Sequence, residues 1–335
     1  MGKLFSIVFG LIIIIGYSGC KKKKNNFDAN WQQINNGLPA NSEVKTIAID
    51  GANIIISTYV SGPYLGDFTG GVYLSTNNGD NWSIINNELP TNTAVNSLVF
   101  NNSIIFAGLA NGNIYLSTNN GSNWELKSNG LGCNSIYTLA LNGSNIYAGT
   151  SAGIYLSTDN GNNWTKLSNG LPSVIRINSI IFDEEKIFAA ADSSSIGKIF
   201  LSIDNGANWT SISNGLPNIF ISLMVKCGSS IFVGTGTGVY KFNNNNNNWL
   251  AVNNGLPTAG IVAALANSGS NIYAGIPLNN GVFGVYFSGD SGSIWSSFSN
   301  GLPSQGVMIL IYFLAANNTY IYAATNNGIW RSNLE

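Results

Sequence analysis

The chain has 335 residues, of which 44% are hydrophobic and only 9% charged, with a net charge of −1 and no histidine. That balance argues against nucleic-acid binding, which needs a basic face. The missing histidine excludes Ser-His-Asp and Cys-His nucleophiles and histidine-ligated metals. Cys20, Cys133 and Cys227 stand far apart with no C-x-x-C spacing, so no metal site, disulfide framework or cofactor is expected.

Residues 1–19 read as a targeting segment. Met1-Gly2-Lys3 carries one positive charge, Leu4 to Ile15 is a mostly apolar run too short for a comfortable membrane span, and Tyr17-Ser18-Gly19-Cys20 closes it. This resembles a bacterial lipoprotein signal peptide with its lipobox, although Tyr17 stands where an aliphatic residue is usual. The resemblance implies cleavage before Cys20, which becomes the lipidated N-terminus. A competing reading takes Met1-Gly2-Lys3-Leu4-Phe5-Ser6 as a myristoylation pattern. On either reading the chain is tethered to a membrane by lipid. Residues 20–30, with Lys21 to Lys24, read as a flexible basic tether. A lysine rather than an aspartate after Cys20 resembles lipoproteins sorted to an outer membrane, with the side of that membrane left open.

From Trp31 onward the chain repeats. The pattern S-x-D/N-x-G-x-x-W recurs at 75–82, 117–124, 157–164, 202–209 and 288–295, with a worn copy ending at Trp249. Each copy is followed by NGLP or a near relative, seven in all from 36–39 to 300–303, including NELP at 87–90. The tryptophans Trp31, Trp82, Trp124, Trp164, Trp209, Trp249 and Trp295 are spaced by 40 to 51 residues, 44 on average. Short apolar runs between Gly and Asn turns at this period predict four-stranded propeller blades. A typical unit reads Ile136 to Leu141, Asn145 to Gly149, Gly153 to Ser157 and Trp164 to Leu167, and no helix is expected after residue 20. In the third strand Ile154 and Leu156 should face opposite to Tyr155. The repeats begin with an outer strand at Trp31 and stop after a third strand at Ser332. The first strand should therefore complete the last blade. The expectation is one all-β domain over 31–335, a seven-bladed β-propeller closed by exchange of its terminal strands.

The repeated residues Asn77, Gly79, Trp82, Asn119, Gly121, Trp124, Asp159, Gly161, Trp164, Asp204, Gly206, Trp209, Asp290, Gly292 and Trp295 are expected to be structural. The Asp or Asn should accept hydrogen bonds from amides two or three residues on, Gly should supply positive φ, and Trp should pack between blades. The pattern resembles the Asp-box, or bacterial neuraminidase repeat, of sialidases, xyloglucanases, the sortilin ectodomain and photosystem II assembly propellers. That resemblance covers residues 31–335 and implies the fold more than an activity. Only Arg176 and Arg331 are present where sialidases use three arginines.

Three second-to-third strand loops look longer than the rest: Tyr59 to Gly70, Ala191 to Lys198 and Ile276 to Gly284. Tyr59, Tyr64, Asp67, Phe68, Asp192 and Lys198 are the candidate binding residues, and no catalytic residue is assigned. The expectation is a non-enzymatic, monomeric, lipid-anchored envelope protein of the bacterial outer membrane. It would serve as a scaffold for a protein partner, without nucleic acid. The alternatives are a carbohydrate-binding lipoprotein and, more remotely, an Asp-box glycoside hydrolase.

Overall fold

The computed structural model describes residues 29–61, 68–90, 92–173, 175–193, 196–257, 260–277, 283–303 and 309–334; Cys20, Tyr64 and Asp67 lie outside them. These residues form seven four-stranded antiparallel sheets, and none of them is helical. In six sheets the strands pair in chain order. In the seventh, Gln32–Gln33 lies against Gly328–Asn333, with Gln32 opposite Arg331 and Gln33 opposite Trp330. The expected exchange of terminal strands is present, and it ties the first and last blades into a ring. Blades are numbered here from the inner strand Glu43–Asp50 (blade 1) to the inner strand Ile311–Ala316 (blade 7).

Each pair of neighbouring blades encloses its own hydrophobic cluster, so both faces of every sheet are covered. This explains why second strands such as Asn145–Thr150 are apolar without alternation: from Ile146 onward every residue is buried. The alternation expected in Gly153–Ser157 is present across two cores. Ile154 and Leu156 join the cluster shared with blade 4, while Tyr155 joins the one shared with blade 2. Burying a Leu, Ile or Phe side chain contributes roughly 1.5–3 kcal/mol. The clusters between blades therefore carry the ring.

The tryptophans pack in these seams and are hydrogen-bonded across them. Trp164 donates its indole Nε1–H to the Lys127 carbonyl of the preceding blade at 2.8 Å, and its backbone N–H to the Asn129 carbonyl at 3.0 Å. Asn129 is the first residue of the preceding NGLG, so the NGLP segments clasp the next blade's tryptophan as well as leading into its inner strand. Backbone bonds of the same kind join Trp82 to Asn36, Trp209 to Asn169, Trp249 to Asn214, Trp295 to Asn254 and, across the closure, Trp31 to Asn300. The glycine in the motif is required by contact as well as conformation. Gly37 has φ 96°, and a Cβ there would lie 2.2 Å from the Trp82 carbonyl oxygen. In blade 1's outgoing segment Glu88 takes the glycine's place at φ 67°, and its carboxylate accepts the Trp124 N–H at 2.9 Å.

The turns before each tryptophan are built on the serine. Ser157 is 1% exposed; its hydroxyl donates to Asp159 Oδ1 at 2.8 Å and accepts the Gly161 N–H at 2.8 Å. Asp159 Oδ1 accepts the Asn163 N–H at 2.9 Å, four residues on rather than two or three. Asn77 and Asn119 make the same bond to Asn81 and Asn123, at 3.1 and 3.0 Å, which is why Asn and Asp exchange freely here. The two oxygens differ from an amide in charge, however. Hydrogen bonds from Asn163 and Ser157 hold the Asp159 carboxyl below the usual range, and those from Asn208 and Ser202 do the same for Asp204.

Ala191 to Lys198 is mostly sheet, and strand pairing also runs into both ends of the other two supposed long loops. Lys186–Ser193 and Ile196–Ser202 form one extended hairpin in which Asp192 pairs with Gly197 and Lys198 with Ala191. Likewise Asn53–Ser61 pairs with Phe68–Ser75, with Tyr59 opposite Gly70 and Ser61 opposite Phe68. Ile276 pairs with Gly284 in the third. Backbone pairing already running through the preceding residues carries these ladders on, overriding the poor strand propensity of Ser, Gly and Asp.

Candidate functional site

The inner strands begin after the blade-to-blade connections, on the face where second and third strands also meet; Glu43, for instance, lies opposite Tyr59. On that face the channel opens as a cavity of about 730 Å³ whose wall takes residues from all seven blades. The serine-based turns lie at the other end of the third strands, so the mouth and the turns occupy opposite faces.

A repeated irregularity aims side chains into this mouth. Six inner strands carry a β-bulge at the same place: between Val44 and Thr46, Val95 and Ser97, Ile136 and Thr138, Ile177 and Ser179, Ile221 and Met224, and Ile311 and Phe313. A bulge inserts one unpaired residue and turns its side chain out of the ladder's alternation. The residues so released are Lys45, Asn96, Tyr137, Asn178, Ser222 and Tyr312, with Leu223 also unpaired beside Ser222, and all of them line the cavity. Ala263, just ahead of the blade 6 inner strand Ala264–Ser268, takes the seventh place. The flanking residues Val44, Val95, Ile136, Ile177, Ile221 and Ile311 are buried in the seams between blades, which fixes the frame.

Contacts run around the ring from blade to blade. The Lys45 ammonium lies 3.7 Å from the ring centroid of Tyr312 and 5.1 Å from that of Tyr59, and pairs with Glu43 at 2.7 Å. Glu43 also accepts the Tyr312 hydroxyl at 3.2 Å. Burial raises the Tyr312 phenol pKa and the neighbouring Lys45 opposes that shift. Asn96 donates to the Ile136 carbonyl at 2.9 Å. The Arg176 guanidinium stacks 4.1 Å from the centroid of Tyr137. Such cation–π pairs contribute roughly 0.5–2 kcal/mol and hold the cations in place. Asn178 donates to Asp192 Oδ2, and Asn178 Oδ1 and Ser222 Oγ are buried without a hydrogen-bond partner in the protein. Burial raises the Asp192 pKa, against the Asn178 hydrogen bond and the Arg176 charge.

Of the candidates named from sequence, Tyr59 lines the mouth and Asp192 supports it through Asn178, whereas Lys198 is exposed and is not part of the wall. Phe68 opens the third strand of blade 1. Tyr64 and Asp67 lie outside the described residues. The ring lies within the inner strands, which the sequence shows only as apolar strand segments. A signal was available: at or near the start of each inner strand a Val or Ile is followed by a residue that varies among Lys, Asn, Tyr, Ser and Ala. Among the described residues, no group of three or more His, Cys, Asp or Glu is placed to hold a metal ion.

Several solved structures share this fold. The extracellular domain of BT4673 from B. thetaiotaomicron matches with a TM-score of 0.70 at 18% identity, over 90% of this chain; the chain spans 40% of that domain's length. YCF48 bound to D1 peptide matches at 0.66 and 15% identity, covering 93% of this chain and 96% of that one. The GH74 xyloglucanase of Xanthomonas campestris matches at 0.70 and 15% identity, over 92% of this chain and 54% of the enzyme. At these identities the likeness is one of fold. No curated protein matches the sequence. The model of the DUF6242 beta propeller domain matches residues 30–164 and 133–276, well over half of the sequence, and the chain belongs to that family.

Proposed function

We propose that this propeller is a non-enzymatic scaffold of the bacterial envelope that binds a segment of a partner protein in the channel mouth. The observation that carries the reading is the bulge ring: the same backbone device in six blades delivers four kinds of side chain, Lys, Asn, Tyr and Ser, into one cavity. Packing alone gives no reason for such variety at a fixed position, whereas recognition does. Structural neighbours lend support, since YCF48 was solved with a bound peptide and the BT4673 domain is extracellular.

A glycan suits this mouth less well. Sugar rings stack on open aromatic faces, and Tyr137 and Tyr312 each have a face occupied by the protein's own cation. Glycoside hydrolysis needs two free carboxyl groups about 5–10 Å apart. The carboxylates Glu43 and Asp192 at or beside the wall come from blades 1 and 4, and each is engaged, by Lys45 and by Asn178.

The division into a signal segment over 1–19, a lipidated tether over 20–30 and a propeller over 31–335 belongs to the same proposal. So does anchoring at the outer membrane through Cys20. Metabolic labelling with an alkyne fatty acid should mark the wild type and leave Cys20→Ser unmarked; equal labelling of both would refute it. The binding reading is tested by cross-linking the tagged full chain in its native envelope. One protein should be captured near stoichiometrically by the wild type and lost with Tyr137→Ala plus Arg176→Ala. Capture indifferent to those substitutions would refute the mouth as the site.

A further inference from the structure

The mouth has two unlike halves. Blades 5 and 6 supply Phe220, Leu223, Ile261 and Ala263, and Phe220 and Ile261 are 42% and 49% exposed despite being large and apolar. Blades 7 and 1 to 4 supply the amides, tyrosines and cations. The cations themselves are not equivalent. Lys45 is already neutralised by Glu43 at 2.7 Å. Arg176 forms no ion pair among the described residues, and its guanidinium, stacked on Tyr137, keeps its N–H fork for another acceptor. Asp192, its neighbour across the strand pair, engages Asn178 instead. Arg176 opens the inner strand of blade 4 and Phe220 stands just ahead of the inner strand Ile221–Cys227 of blade 5, each two residues before its bulged residue. Arg176, which has the Asp192 carboxyl as its cross-strand neighbour but no ion pair among the described residues, thus stands beside the apolar crescent. Between them lie Asn178 Oδ1 and Ser222 Oγ, buried polar atoms that the protein leaves unpaired.

Resting on the binding reading above, we infer that the occupant is an extended peptide segment in which an acidic side chain stands next to aliphatic or aromatic ones. Its carboxylate takes the Arg176 fork and its apolar side chains cover Phe220 and Ile261. A planar guanidinium matches a carboxylate in a two-bond geometry that an ammonium cannot reproduce. Phosphate recognition ordinarily gathers several arginines. Here a single free guanidinium, with the other cation already satisfied, fits a single carboxylate. The exposed apolar pair supplies the desolvated anchor that such interfaces place beside their polar contacts.

The test is a displayed library of random peptides panned on the immobilised full chain and sequenced before and after selection. Arg176→Ala, Arg176→Lys and the pair Phe220→Ser with Ile261→Ser are panned in parallel. All three residues are exposed, so their loss leaves the seams between blades intact. Peptides with Asp or Glu within a few positions of Leu, Ile or Phe should be enriched on the wild type. That acidic preference should fall roughly tenfold or more on Arg176→Ala, with only partial retention on Arg176→Lys. The serine pair should lose the apolar preference and keep the acidic one. Peptides enriched on the wild type and lost in these variants, but without acidic preference, would overturn the inferred chemistry and leave the mouth as a peptide site. Absence of any peptide whose capture depends on the mouth residues would overturn both.

Discussion

Replacing Glu88 tests the clasp between blades at the one place where the repeat departs from its rule. Elsewhere a glycine follows the asparagine whose carbonyl takes the next tryptophan's N–H, and a Cβ at Gly37 would sit 2.2 Å from the Trp82 carbonyl oxygen. Glu88 carries a Cβ, so that close approach is barred, and its carboxylate spans the gap to Trp124 N–H at 2.9 Å. Glu88→Ala keeps the obstruction and the left-handed φ of 67° but removes the acceptor. A part-buried N–H left without a partner costs about 1–3 kcal/mol. Glu88→Gly also removes the carboxylate, yet relieves about 1 kcal/mol of left-handed strain and lets the Asn87 carbonyl take over as its counterparts do. The two variants should thus differ by about 2 kcal/mol, with Gly within about 1 kcal/mol of the wild type. Native-state hydrogen exchange at the Trp124 amide is the suitable assay, because a ring of repeats need not unfold in two states. Protection should fall sharply in Glu88→Ala and be kept in Glu88→Gly. Equal protection in both would refute the idea that the carboxylate stands in for a missing backbone contact.

Other consequences are open to measurement. Ser157→Ala removes a buried hydroxyl that bonds both Asp159 and the Gly161 N–H, and should destabilise by about 1–3 kcal/mol in urea unfolding. Asp159→Ala, at a half-buried residue, should cost less than Ser157→Ala, whose hydroxyl is fully buried. The Asp192 carboxyl is raised by burial, so its contribution favours folding at pH below its unfolded value and is lost as pH rises through its folded one. Asp192→Asn should accordingly be more stable than the wild type near neutral pH, with the gain shrinking as pH falls toward 4; a gain unchanged with pH would contradict this. Asp159 and Asp204 have the opposite sign: their stabilisation is present above the usual carboxylate pKa and lost as pH falls through their depressed values. Asp159→Asn should therefore flatten the acid limb of the unfolding curve. Arg331 reaches from blade 7 to the Asn78 carbonyl at 2.7 Å and to Asp80 at 2.8 Å in blade 1. Its replacement by Ala should loosen exchange protection at the closing seam before it affects other blades.

The fold was legible because its determinants are local and repeated. A tryptophan every 44 residues or so, a serine-led turn and an Asn-Gly clasp each impose a geometry that tertiary context does not override, and the phase of the termini gave the closure. The channel mouth was less legible. Ala191 to Lys198 looks like a loop by composition, and only continuation of the ladder makes it strand. Tyr59 reaches the mouth, whereas the charged Lys198 beside the same face does not. The bulges left no mark in hydropathy, since the flanking Val, Ile, Ser and Thr look like ordinary core. Their trace is the contrast between constant neighbours and an inconstant residue at Lys45, Asn96, Tyr137 and their counterparts.

Those bulges separate two kinds of information that most folds entangle. The residues before and after each bulge are committed to the joints between blades, but the bulged residue itself owes nothing to them. Exchanging any one of the six alters a different sector of the same opening and the contact that residue makes around the ring, while the buried residues that flank it keep the seams packed. The ring works as a fixed socket with six interchangeable pins, so a frame of this kind can acquire unrelated partners through a handful of substitutions while its seams stay the same.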